Sequence, residues 1–363
     1  VNDRRLVAIA CLITLSFQTG GRAETAEPKQ PDDGSVKTVE GCRVWPVSVH
    51  PGAVVKWSGS CVDGLAAGTG TLVAQWSGNE EQYSGDMHDG KANGHGAFAF
   101  ITGDRYEGEW RNGRANGQGT MAFTNGSRYQ GAWRDGKANG QGTVVWPDGS
   151  RYDGDWSDNR RAGHGIAKLA NGNVYDGEWR DDKVNGIGTL TTKSGDRYTG
   201  EWSDGRANGQ GVFVWANGDK YEGQWVDDRR TGSGVLTFGK GGSYDGEWRD
   251  DKAEGRGVRT WPNGDRYDGA WHADTRTGRG SETFANGDIY YGLWLNNERN
   301  GEGAIRFASG ARYEGGWKNS KADGDGTYTS SDGKEVHGVW KNGCLRLDNR
   351  VAATVGASAD SCR

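Results

Sequence analysis

Apolar and polar positions alternate along this chain in short runs, and the runs recur with a fixed period. Tyr-x-Gly-x-Trp occurs at 106–110, 129–133, 152–156, 175–179, 198–202, 221–225, 244–248, 267–271, 290–294 and 313–317, each start 23 residues after the last. Tyr83-Ser84-Gly85-Asp86-Met87 before the series and Val336-His337-Gly338-Val339-Trp340 after it keep the register, making twelve copies. A degenerate thirteenth begins at Trp57-Ser58-Gly59-Ser60-Cys61, offset by three extra residues. Such periodicity marks an architecture in which each repeat is one supersecondary unit that must stack on its neighbours.

With each repeat's Tyr as position 0, glycine fills position 2 in all twelve copies and positions 11, 13 and 20 in the eleven full ones. In the copy starting at Tyr106 these are Gly108, Gly117, Gly119 and Gly126. Positions 0, 2 and 4 alternate, so Tyr, Gly and Trp share one face of a short strand and acids such as Glu107 and Glu109 take the other. Position 7 holds turn residues (Gly113, Asp182, Asn297, Ser320), and the chain returns through positions 11 to 17. Position 17 is usually large and apolar (Phe123, Trp146, Trp215, Phe238, Trp261, Phe307), and Pro262-Asn263-Gly264-Asp265 typifies the turn that follows. If position 4 lies opposite 11, then 2 lies opposite 13, and two glycines meet. Glycine inside a strand is costly unless a ring or a backbone approaches it closely, so a neighbouring Tyr or Trp is expected to lie across this patch. Helix is excluded by the density of glycine.

The expected fold is therefore all-β: an elongated repeat array of consecutive antiparallel β-hairpins forming one long twisted single-layer sheet. About 26 strands at ~4.8 Å spacing would run to ~120 Å before twist. One hairpin alone is marginal in water, whereas stacked hairpins gain stability as a nearest-neighbour sum.

Composition changes the picture in two ways. The 363 residues include 64 Gly, 17 Trp and 13 Tyr, with mean hydropathy −0.86, so no large aliphatic core can form. The formal charge of −5 gives no electrostatic reason to expect nucleic acid. Residues 1–23 read as a signal peptide: Arg4 and Arg5, an uncharged run from Leu6 to Phe17, and Gly21-Arg22-Ala23 at the cleavage site. Val1 reads as a literally translated alternative start codon, which suits a bacterial chain. Residues 24–41 read as a disordered linker, 42–82 as an N-terminal cap with the degenerate repeat, 83–343 as the array, and 344–363 as a C-terminal cap or tail. The expected location is the periplasm or the extracellular side of the cell envelope. Cys42, Cys61, Cys344 and Cys362 bracket 282 cysteine-free residues. An even count in an exported chain suggests disulfides. Three pairings are open, and the local one, Cys42–Cys61 with Cys344–Cys362, would place a covalent cap at each end.

The unit Tyr106-Glu107-Gly108-Glu109-Trp110 … Gly113 … Gly117-Gln118-Gly119-Thr120 … Asn125-Gly126 resembles the MORN repeat (membrane occupation and recognition nexus), in a secreted bacterial form. The likeness covers about residues 57–343. The place before the second Gly-x-Gly, often His in the family, is here mostly Asn (Asn93, Asn116, Asn139, Asn208, Asn300). The resemblance implies an antiparallel sheet of hairpins, a protein-interaction scaffold, and lipid association in some members.

No catalytic, metal or cofactor site stands out. The six histidines share no single repeat position, the Gly-x-Gly motifs belong to the repeat, and the paired acids recur in every unit. The acids at positions 1 and 3 are expected to pair with Arg or Lys at position 22 (Arg105, Arg128, Arg151, Arg197, Arg266, Arg312) or to keep the sheet soluble. The candidate binding-face aromatics are Tyr106, Trp110, Tyr129, Trp133, Tyr152, Trp156, Tyr175, Trp179, Tyr198, Trp202, Tyr221, Trp225, Tyr244, Trp248, Tyr267 and Trp271. The competing reading is that packing between repeats consumes these rings. The expected function is a non-enzymatic scaffold that holds an envelope protein partner. Glycan stacking and phospholipid association are alternatives, and the end strands invite end-to-end or homodimer association.

Overall fold

The computed structural model of the protein describes residues 34–48, 50–347 and 350–362. The expected signal peptide and residues 24–33 of the expected linker lie outside them. Among the described residues the regular structure is β, apart from one 3₁₀ turn at Asp360–Cys362. The chain divides into two compact units between Lys193 and Ser194. Within each unit, successive strands pair antiparallel as hairpins, as the periodicity requires.

Each repeat supplies a seven-residue strand and a nine-residue strand, such as Arg105–Arg111 and Arg114–Ala122. The two-residue turn between them places both residues at positive φ (Asn112 at 49°, Gly113 at 77°), the mirror-image turn that matches strand twist. Position 6 therefore needs the left-handed conformation as much as position 7 does, which explains why Asp or Asn fills it in most copies. A second turn, Thr124-Asn125-Gly126, connects repeats and is closed by the Gly126 N–H donating to the Phe123 carbonyl at 2.9 Å.

The glycines align as expected and more extensively. Gly108 lies opposite Gly119 in its own hairpin and opposite Gly96 in the preceding one, so each unit carries an unbroken glycine row across its strands. The expected pairing of position 4 with 11 belongs to the neighbouring hairpin, as in Gly94 with Trp110. In its own hairpin Trp110 faces Ala115, because a β-bulge inserts two extra residues there. Gly117 makes this bulge at φ 68°.

The ends depart from the repeat. Val36–Lys37 pairs with Arg43–Val44, so the segment expected to be a disordered linker holds a short strand among its described residues. The degenerate copy keeps register with Trp57 in place of Tyr: a Cβ on Gly70 would fall 2.6 Å from its ring. At the other end, Cys344–Leu347 pairs with Arg350–Thr354, and Leu345 covers Gly338, where a Cβ would lie 2.7 Å from it. Cys42 is bonded to Cys61 and Cys344 to Cys362, each pair with Cα atoms 5.7 Å apart. Closing such loops stabilises chiefly by restricting the unfolded chain, and in a nearest-neighbour array that gain stays local. Reduction is expected to speed amide exchange in residues 42–80 and 325–362 and leave the mid-array strands protected. Uniform acceleration along the chain would contradict the local-cap view.

Candidate functional site

The candidate aromatics are interior residues. Tyr106, Tyr129, Tyr152, Tyr175, Tyr198, Tyr221, Tyr244 and Tyr267 are all no more than 3% exposed. Trp110, Trp156, Trp179, Trp202, Trp225, Trp248 and Trp271 are 1–8% exposed, and Trp133 is half-buried. Within each unit, most of these Tyr rings make edge-to-face contacts with the Trp of their own and of the next repeat. Tyr106 meets Trp110 and Trp133 at 5.1 Å; in the second unit, Tyr244 meets Trp248 at 5.0 Å and Trp271 at 5.3 Å. Both polar handles are consumed. The Tyr106 hydroxyl donates to the Glu109 carbonyl at 3.0 Å, and the Trp110 indole donates to the Gly96 carbonyl at 2.9 Å. Burial pushes the Tyr hydroxyls well above the usual phenol range, so they remain donors at neutral pH. A stacking platform needs a free ring face, and burial denies one to all of these rings but Trp133, so the assignment of the buried rings to a binding face is corrected.

The glycines explain how the rings fit. A Cβ on Gly119 would lie 2.6 Å from the Tyr106 ring, and on Gly108 2.7 Å from its hydroxyl. Tyr therefore lies across the bare backbone of the adjacent strand. Gly117 and Gly126 instead supply positive φ.

The rings left partly open are those at position 17. Phe100, Phe123 and Trp146 in the first unit, where Leu169 takes the same position without a ring, and Trp215, Phe238, Trp261, Phe284 and Phe307 in the second, are all half-buried on the Tyr/Trp face. They lean on position 15, as Phe100 does on Phe98 and Trp215 on Phe213, both at 4.6 Å. The sequence marked this position as apolar without singling it out as surface.

Arginines at position 9 were also missed. Most copies hold Ala there, opposite Trp. Four hold Arg161, Arg230, Arg276 and Arg299, whose guanidinium groups lie 4.2–4.6 Å from the Trp179, Trp248, Trp294 and Trp317 rings of the next repeats. Arg161, 1% exposed, bonds Asp182 at 3.1 Å, and Arg230 bonds Asp251 at 3.1 Å. Arg276 pairs with Glu282, whose carboxyl burial raises its pKa. The available signal was Arg standing where sister copies have Ala.

Most carboxylates serve the backbone. At position 3, Glu109, Asp155, Glu201 and Glu247 accept from the bulge N–H of Gln118, His164, Gln210 and Arg256 at 2.8–2.9 Å. At the two turns, Asp228 accepts from the Ala207 N–H and Asp265 from the Ala285 N–H, each at 2.8 Å, linking successive repeats. The expected pairing with position 22 occurs at Arg151–Asp153, Lys220–Glu222 and Arg266–Asp268. Among the described residues no cluster of His, Cys, Asp or Glu could hold a metal ion. The opposite face carries shallow polar troughs floored by glycine backbone, one lined by Gln118, Gln130, Gln141, Thr143 and His164.

The MORN repeat pattern matches eleven consecutive segments spanning residues 83–335, each in the register described above. No curated protein sequence matches the chain. The TCP domain of Drosophila melanogaster SAS-4 (dCPAP), solved with a proline-rich motif of Ana2 (dSTIL), is 15% identical, covering 43% of this chain and 85% of that one with TM-score 0.29. The Danio rerio CPAP TCP10 domain, solved with a STIL peptide, is 12% identical, covering 62% and 96% with TM-score 0.32. A streptogramin B lyase is 10% identical, covering 70% and 87% with TM-score 0.14. At these scores the structural likenesses carry no functional argument. Eleven matches in unbroken register, ten of them carrying the Tyr–Gly–Trp pattern and the first with Met87 in place of Trp, make this chain a member of the MORN repeat family, whose repeats form protein-interaction or membrane-association modules.

Proposed function

We propose that the protein is a non-enzymatic scaffold of the cell envelope that holds a protein partner on the face carrying the position-17 rings. The observation behind this reading is the periodic row of half-buried apolar rings beside a saturated interior. The Tyr and Trp of positions 0 and 4 have spent both their faces and their polar atoms. The position-17 rings keep apolar area open to solvent, and such area in series favours a macromolecular contact. Phe predominates in the row and has no polar handle, which favours a protein partner over a glycan. The bonded cysteine pairs at both ends suit an oxidising compartment.

A photo-crosslinking residue placed at Phe123 or Phe284, in intact envelopes, is expected to give protein adducts. The same residue at Glu107 or Asp268, on the opposite face, is expected to give few. Adducts of equal yield from both faces, or adducts to lipid alone, would remove this assignment.

A further inference from the structure

Position 15 of the repeat lies between successive Tyr rings and is filled by apolar side chains such as Met121, Val144, Leu190, Phe213, Leu236 and Ile305. Arg259 and Glu282 are the charged exceptions, and Glu282 is paired with Arg276. Arg259 pairs in register with Tyr244 on one side and Tyr267 on the other, so its side chain shares their face. Its guanidinium lies 3.9 Å from the Phe238 ring centroid and 5.7 Å from that of Trp261, two of the half-buried position-17 rings. The four position-9 arginines are bonded to Asp182, to Asp251, to Glu282 and to the Ser320 carbonyl. Among the described residues Arg259 has no such partner: it lies against the two rings, and burial pulls its guanidinium below the ordinary value with no carboxylate there opposing the shift.

We propose that Arg259, flanked by Phe238 and Trp261, is the carboxylate-binding position of the interaction surface, and that the segment docking there is an acidic peptide carrying aromatic side chains. This deepens the scaffold reading and rests on it. A guanidinium fixed against an aromatic face keeps its outward N–H groups aligned and loses little rotamer freedom on binding. A carboxylate placed there gains charge-assisted, two-pronged hydrogen bonds in a partly desolvated setting. The rings on either side receive the neighbouring apolar side chains. The chain itself carries a net charge of −5, so an unpaired, half-buried cation on this face is a local provision and not a general property of its surface.

The experiment titrates the full chain with Ac-Glu-Phe-Glu-Phe-Glu-NH2, followed by tryptophan fluorescence and calorimetry. The comparison probes are its all-Gln analogue and glucuronate, a carboxylate without peptide or ring. Arg259→Leu is the decisive variant, because Leu190 and Leu236 occupy the same repeat position and it should fold with an unchanged or higher Tm. The acidic peptide is expected to bind the wild-type chain about tenfold more tightly than the Gln analogue, and to lose about the same factor in Arg259→Leu. Arg259→Lys should recover only part of the loss. Equal affinity for the two peptides, equal affinity in Arg259→Leu, glucuronate binding as tight as the peptide, or no peptide binding at millimolar concentration would each overturn the proposal. Peptide binding that survives Arg259→Leu but falls in Trp261→Ala would overturn the carboxylate position while leaving the aromatic surface in place.

Discussion

Gly188→Val is expected to cost about 4 kcal/mol in urea unfolding and to expose the strands around Tyr175 to amide exchange. Gly188 is the position-13 glycine beneath Tyr175. A Cβ there would overlap the Tyr175 hydroxyl oxygen and lie 2.6 Å from the ring carbon that bears it. The ring has nowhere to go. Its hydroxyl donates to the Glu178 carbonyl at 3.1 Å, and its edge-to-face contact with Trp179 is 5.4 Å between centroids. Trp179 is held in turn by its indole N–H on the Gly165 carbonyl at 3.0 Å. Overpacking costs ~1–3 kcal/mol, and stranding a buried hydroxyl adds ~1–3 kcal/mol. Thr189→Val, on the opposite face, is the control, because position 14 already holds Val212, Val235 and Val258 in sister copies. Equal losses for the two variants would be incompatible with the ring-over-glycine account. Gly186, two residues earlier, behaves differently. It sits at φ 65°, and a Cβ would meet the Glu178 carboxylate and not a ring. Gly186→Ala should therefore cost ~1–2 kcal/mol through backbone strain.

Asp182→Ala is expected to cost about 3 kcal/mol, and Arg161→Ala, which removes the other half of the same ion pair, only about 1 kcal/mol. Arg161 is 1% exposed and stacked on Trp179, with its Nε 3.1 Å from the Asp182 carboxylate. Removing Asp182 leaves a desolvated guanidinium without its counter-charge and also frees the Arg161 backbone N–H that the same carboxylate accepts. Removing Arg161 returns position 9 to the Ala found in Ala115, Ala138 and Ala207. Asp182 then keeps the role that Asp228 plays opposite Ala207, accepting one backbone N–H. The double variant should resemble Asp182→Ala with part of its loss restored. A cycle in which Arg161→Ala is the more damaging change would show that stacking on Trp179, and not the buried charge, governs the pair.

The hairpin repeat, the glycine pairing and the turns could all be read from the sequence. They depend on local rules repeated a dozen times: period-2 alternation, positive φ at the turns, and a bare backbone that only a ring can cover. The bulge at Gly117 was not legible, because it arises when two strands of unequal length close on one turn. That bulge moved Trp110 opposite Ala115 and gave the position-3 carboxylates an N–H to satisfy, so residues that looked like a solvated acidic face became backbone caps. The exposure of individual rings was also beyond the sequence. Tyr106 and Phe123 are both aromatic, periodic and on one face, yet Tyr106 is enclosed by two Trp rings, whereas Phe123 stands at a repeat connection and is only half-buried. Arg161 and Arg259 look alike along the chain. Only the packing decides that one meets the carboxylate of the following turn while the other meets rings alone, since a partner 21 residues away is set by how the hairpins stack. The sequence by itself determined the strands and the interior rows; the tertiary structure decided which side chains were left with an unused surface, because that depends on what the neighbouring hairpin brings to each position.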